Sequence, residues 1–187
     1  MAANALPVLE LLMMDDRSVV EAQIGRAARS RVDVHTRCHL DMPVVIDVPP
    51  LLDDGTPFPT TFWLTCPLAT LRISRIESAG GVRAADHAVS SDPDVAERFS
   101  RAMARYQQHR DTLVPDGWTR PAPTGGIAGS SGGVKCLHAQ YADTAAGNDN
   151  PIGEDVAAKI EPFACTVPCV FEGPDGVAMN PDWSEPQ

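Results

Sequence analysis

Arg31-Val32-Asp33-Val34-His35-Thr36-Arg37-Cys38 has the pattern of a first strand. Val32 and Val34 alternate with charged and polar neighbours, the period of a half-buried strand. The run stops at Cys38. Val44-Val45-Ile46-Asp47-Val48 is a second strand, halted by Pro49-Pro50, which cannot extend a hydrogen-bonded ladder. Asp53-Asp54-Gly55-Thr56-Pro57 has turn chemistry. Thr60-Thr61-Phe62-Trp63-Leu64-Thr65 is the third strand and ends at Cys66-Pro67. In an antiparallel meander, strands one and three run the same way. Cys38 and Cys66 are therefore expected at one edge of the sheet.

Outside these strands the chain reads as helical. Upstream, Asp16 is placed to cap a short helix over Ser18–Ile24 that Gly25 closes. Downstream, Pro67 suits the first position of a helix that runs from Leu68 to Ala79 and stops at Gly80-Gly81. Leu68, Leu71, Ile73, Ile76 and Ala79 share its apolar face. Arg72 falls inside that face, where it either reaches out to the edge or holds an anion or a carboxylate. Val82–Ser90 forms another short helix. Asp92 and Pro93 then open a long one through Asp111, whose stripe of Val95, Phe99, Ala102, Met103, Tyr106 and Leu113 is core. Pro115–Gly133 is irregular. Helices are expected over Val134–Ala146 and, after the turn Gly147–Pro151, over Gly153–Glu161, burying Val156, Ala157 and Ile160. The fold class is α+β: a small antiparallel three-stranded sheet followed by a cluster of helices. One domain spans 15–162, between an N-terminal arm over 1–14 and an acidic Pro/Gly-rich tail over 163–187.

Composition narrows the functions. A length of 187 residues suits one domain with a real core. A net charge of -10, with no basic stripe, argues against nucleic acid as a partner. No apolar run reaches the length of a membrane span. The patch Leu6–Leu12 has no Lys or Arg ahead of it, is interrupted by Glu10 and is followed by Asp15-Asp16, which makes a poor signal peptide. The expected compartment is the cytoplasm. There, five cysteines without paired spacing are thiols or metal ligands rather than disulfides.

The chemistry converges on Gly132-Gly133-Val134-Lys135-Cys136-Leu137-His138. Cys38, Cys66, Cys136 and His138 supply three thiolates and one imidazole, a ligand set for zinc. It also suits an iron–sulfur cluster, where Cys before Pro, as in Cys66-Pro67, recurs. Residues two apart on a helix face nearly opposite ways. Cys136 and His138 can therefore share a metal only if Cys136 precedes the regular helix. A second reading makes Cys136 a catalytic thiol, activated by the helix N-terminus and by Lys135. Gly132 and Gly133 would then cradle an anion, with Arg72 or Arg75 supplying charge. No Gly-Lys-Ser/Thr follows, so this is not a phosphate loop of the nucleotide-binding kind. A third reading is an interaction protein that binds a protein partner through its arm or tail. His39 is the fallback ligand should His138 face away. His35, His87 and His109 read as solvent-facing, Cys165 and Cys169 as spare tail thiols, and Asp53, Asp54 and Asp149 as turn residues.

Five ordered motifs carry a family resemblance: Asp54-Gly55-Thr56-Pro57-Phe58-Pro59-Thr60, Trp63-Leu64-Thr65-Cys66-Pro67, Ser74-Arg75-Ile76-Glu77, Val134-Lys135-Cys136-Leu137-His138 and Asp149-Asn150-Pro151-Ile152-Gly153. Over Ser18 to Glu161 the chain resembles the bacterial domain of unknown function 501, a family common in actinobacteria. The resemblance implies kinship without a reaction. Two positions depart from it. His39 follows Cys38 where members tend to have proline. Asp143 stands where they often have a second histidine, as an oxygen ligand or as an acceptor behind one.

Overall fold

The computed structural model describes residues 14–186. The arm expected over 1–14 therefore lies outside the described residues, Met14 excepted. The described chain opens with α1 (Asp16–Ile24), capped by Asp15 rather than Asp16, and closes it at Gly25 in the left-handed region at φ 68°. Three strands follow: β1 (Asp33–Arg37), β2 (Pro43–Asp47) and β3 (Phe62–Leu64). They form an antiparallel sheet in the order β1-β2-β3. The expected meander is thus the observed one. Its consequence holds too: the Cys38 N–H donates to Met42 O at 2.9 Å and the Cys66 N–H to Val44 O at 3.4 Å, so both residues sit at the edge where β2 begins.

The helices follow as α2 (Pro67–Ser78), α3 (Gly81–Ser91), α4 (Pro93–Thr112), α5 (Leu137–Ala145) and α6 (Pro151–Ile160). Proline opens α2, α4 and α6 because a first-turn N–H has no intrahelical acceptor to lose. The main core lies between the sheet and α2, α4, α5 and α6. It gathers Val45, Phe62, Leu68, Ile73, Phe99, Tyr106, Leu137 and Val156. The other face of the sheet packs Ile46 and Val48 against Val20 of α1 and Leu52. The stripe on α4 buries Phe99, Ala102 and Tyr106 as expected, but Leu113 at its end is 40% exposed. On α2, Leu71 and Ala79 face solvent, so its apolar face is narrower than the wheel implies.

Two expectations are corrected. The segment read as a tail carries a hairpin, β4 (Val170–Gly173) and β5 (Gly176–Met179), which lies against α1. Val170 and Cys169 bury themselves there against Val19. In addition α5 begins at Leu137, not Val134. Gly133 takes φ 66°, the Val134 N–H is held by Asp86 Oδ1 at 2.6 Å, and Cys136 is extended at φ -153° and ψ 123°. Among the described residues, no helix is long and apolar enough to cross a membrane.

Candidate metal centre at the start of α5

Because Cys136 is the extended N-cap of α5, it escapes the roughly 200° that separates helical residues two apart. Its Sγ stands 3.8 Å from His138 Nδ1. The third member of the group comes from α2. Glu77 Oε1 accepts the Leu137 N–H at 2.6 Å, doing the capping that the Cys136 side chain does not, and lies 3.3 Å from His138 Nδ1. The other ring nitrogen, Nε2, faces Thr70 O and Ser74 Oγ, each at 3.2 Å. A backbone carbonyl has no proton to give, so Nε2 is the protonated nitrogen and donates to Thr70 O. Burial works to lower the His138 pKa. The Cys136 hydrogen bond and the charge of Glu77 outweigh it and set the value above the ordinary one. Among the described residues, Glu77, Cys136 and His138 are the group of three whose ligand atoms all lie within 4.8 Å of one another.

Cys38 and Cys66 do not join this group. Eleven helical residues separate Cys66, at the N-cap of α2, from Glu77 at its far end, about 16 Å of rise. The two thiols instead line a separate cavity with Cys165 and Cys169. The four ligands read from the sequence are therefore divided between two places. His39 lines that cavity too, and its Nε2 faces Cys165 O at 2.8 Å.

At the expected anion cradle, two backbone donors are engaged. The N–H groups of Val134 and Leu137 already point at the carboxylates of Asp86 and Glu77. Ser130 Oγ donates within the loop, to the carbonyls of Gly132 and Gly133. Arg75 makes two bonds to the Glu185 carboxylate, at 2.8 and 2.7 Å. Arg72 reaches Ile160 O, Pro162 O and Glu185, which makes it an arginine that holds a carboxylate and carbonyls. Lys135 is exposed. Carboxylates thus occupy the loop and the helix start.

Asp143 is fully buried and stands apart from the group. It takes two bonds from Arg105, at 3.1 and 2.6 Å, and one from Asn150 Nδ2 at 3.0 Å. Burial pushes its pKa up and Arg105 restrains the rise. Asn150 also caps α6, through Ile152 and Gly153, and donates to Gln140 on α5. The Asp149–Gly153 motif is therefore a joint between two helices. A cleft of about 490 Å³ beside the sheet contains His35, Asp47 and His109. Both ring nitrogens of His35 are already engaged there, with Asp47 and Ala146 O.

The model of the family described as protein of unknown function (DUF501) matches residues 34–158. The chain belongs to the DUF501 family. No curated protein and no solved structure matches it. The DUF501 match takes in Cys38, Cys66, Glu77, Cys136 and His138 and ends before Cys165 and Cys169. Glu77 is the residue that reading for ligands missed. Its one signal was its place in the Ser74–Glu77 motif, since nothing in the spacing ties position 77 to 136.

Proposed function

We propose that this DUF501 protein binds a divalent metal ion, zinc, through Glu77, Cys136 and His138. The observation that carries the reading is the orientation of His138. Its Nε2 proton is committed to Thr70 O, which aims Nδ1 at Glu77 Oε1 and Cys136 Sγ, where a metal ion would take the place of the second ring proton. A second-nitrogen bond to a backbone carbonyl is the usual support of a metal-ligating histidine. Carboxylate, thiolate and imidazole are all zinc ligands. One cysteine is too few for an iron–sulfur cluster, so zinc is the better of the two metals. Three protein ligands leave a fourth position. The His138 and Glu77 side chains are 23% and 27% exposed, so solvent can reach it. Zinc in such a setting activates bound water.

The test is elemental analysis of the purified full chain beside Glu77→Gln and His138→Ala. Zinc that accompanies the parent chain and is lost from both variants supports the reading. Unchanged zinc in His138→Ala sinks it. A second reading rests on the 3.8 Å contact between Cys136 Sγ and His138 Nδ1, the pairing of a thiolate nucleophile with an imidazolium. Under it, iodoacetamide alkylates Cys136 rapidly at neutral pH, His138→Ala slows the reaction, and a chelator changes nothing. Under the zinc reading, the chelator speeds alkylation.

A further inference from the structure

We infer that Cys38, Cys66, Cys165 and Cys169 form a second metal site, a tetrathiolate that takes one zinc ion and clasps the C-terminal segment to the domain. Cys38 follows β1 and Cys66 follows β3, both at the end of the sheet where β2 begins. Cys165 and Cys169 lie between α6 and β4. All four line one cavity of about 20 Å³, closed by apolar side chains that include Leu68, Phe163 and Trp183. That volume is room for about one water-sized particle. It suits a single ion and leaves no place for a multi-iron cluster with its sulfides. The spacing of Cys165 and Cys169, three residues between them, is within the range of zinc chelates.

Donors gather on these sulfurs. Gln23 Nε2 donates to Cys169 Sγ at 3.5 Å. Trp183, on the cavity wall, has a buried indole N–H with no acceptor. Neutral thiols are weak acceptors and do not call for this company. A zinc tetrathiolate does, because four S–H protons leave to solvent as the ion enters and the centre carries a net charge of about -2. No three of the sulfurs lie within 4.8 Å of one another. Zn–S bonds of about 2.3 Å place tetrahedral sulfurs roughly 3.8 Å apart, so the thiols rotate inward to bind. His39, bonded to Cys165 O at 2.8 Å, already sets the C-terminal segment over the β1 edge. Cys165 and Cys169 lie beyond the family match, which ends at residue 158.

This inference does not rest on the Glu77 centre, and one set of variants separates the two. Native mass spectrometry and elemental analysis of the full chain would compare the parent with C165S/C169S and with C136S/H138A. The clasp predicts that C165S/C169S loses one zinc equivalent and that C136S/H138A keeps it. Parental zinc content in C165S/C169S overturns the clasp. Zinc lost from C165S/C169S alone leaves the clasp standing and overturns the Glu77 reading. Should C165S/C169S fail to fold, cobalt(II) substitution of the parent chain still decides. An intense sulfur-to-cobalt charge-transfer band that persists in Cys136→Ser is expected, and its absence refutes the site. So does a Cys165–Cys169 disulfide, seen as the loss of two hydrogens in the intact mass of the protein as purified.

Discussion

Replacing Tyr106 by Phe will destabilise the protein by about 2–3 kcal/mol without opening a cavity. Tyr106 lies on α4 and is fully buried. Its hydroxyl accepts the Thr61 N–H at 2.6 Å and the Phe62 N–H at 3.3 Å, where the chain enters β3. The phenylalanine ring keeps the edge-to-face contact with Phe62 at 5.8 Å, so packing is retained. What remains is two backbone donors without an acceptor in a dry core. A buried orphan donor costs about 1–3 kcal/mol, and the longer of the two bonds counts at the low end. At about 2–4 °C per kcal/mol for a chain of this size, the melting temperature falls by roughly 4–12 °C. The assay is urea unfolding followed by far-ultraviolet circular dichroism, with the slope m unchanged. Tyr141→Phe is the control. The Tyr141 hydroxyl donates to Glu161 Oε1 at 2.7 Å, and Glu161 is exposed, so water replaces the lost donor. Its cost should stay below about 1 kcal/mol. If Tyr106→Phe costs no more than Tyr141→Phe, the claim that Tyr106 anchors the start of β3 is wrong.

Gly153→Ala will weaken the joint between α5 and α6. Its Cβ would press on Thr144 Oγ1 and the Gln140 carbonyl, and the carbonyl belongs to a helix that cannot give way. Overpacking of this kind costs about 1–3 kcal/mol, more than the helix propensity of alanine returns, and thermal unfolding measures it. A lower limit of zero or a gain in stability would show that the helices part more easily than described. The chain's two tyrosines provide a pH test. Burial pushes the Tyr106 pKa up to about 12 and, with help from Glu161, raises that of Tyr141 further. In the unfolded chain both ionise near pH 10. Their contribution to stability is therefore complete below about pH 10, and that of Tyr106 is lost as the pH rises through about 12. Tyrosinate absorbance should appear together with the loss of helical dichroism, and ionisation of an intact fold near pH 10 would contradict the burial.

Much of the architecture is local and was legible. Strand periods, the turn at Asp54-Gly55 and the prolines at helix starts each act within a few residues, and the three strands and the helices stand near their expected positions. Errors came where a distant group intervened. Val134 and Lys135 have nothing in their own sequence against a helix, but Asp86 from α3 captures the Val134 N–H and delays α5. The Pro/Gly composition of 163–187 signals an irregular tail, yet Cys169 and Val170 find a surface on α1. The sequence reads Arg72 as an arginine that either reaches out to the edge or holds an anion or a carboxylate. The fully buried one is Arg110, whose charged neighbours in sequence gave no sign of it.

The candidate site divides along the same line. Local sequence settles the α+β class, the shared sheet end of Cys38 and Cys66, and the condition that Cys136 stand outside regular helix if it is to share a metal with His138. These follow from the backbone's two periods and from strand direction, which short stretches encode. Only the tertiary structure decided which thiols meet. It set Glu77 beside Cys136 and His138, and it brought Cys165 and Cys169 to Cys38 and Cys66. Such pairings depend on how α2 lies against α5 and on where the C-terminal segment docks. Those are products of packing between residues 60 apart in the chain (Glu77 and Leu137) and 126 apart (His39 and Cys165), which no local pattern records.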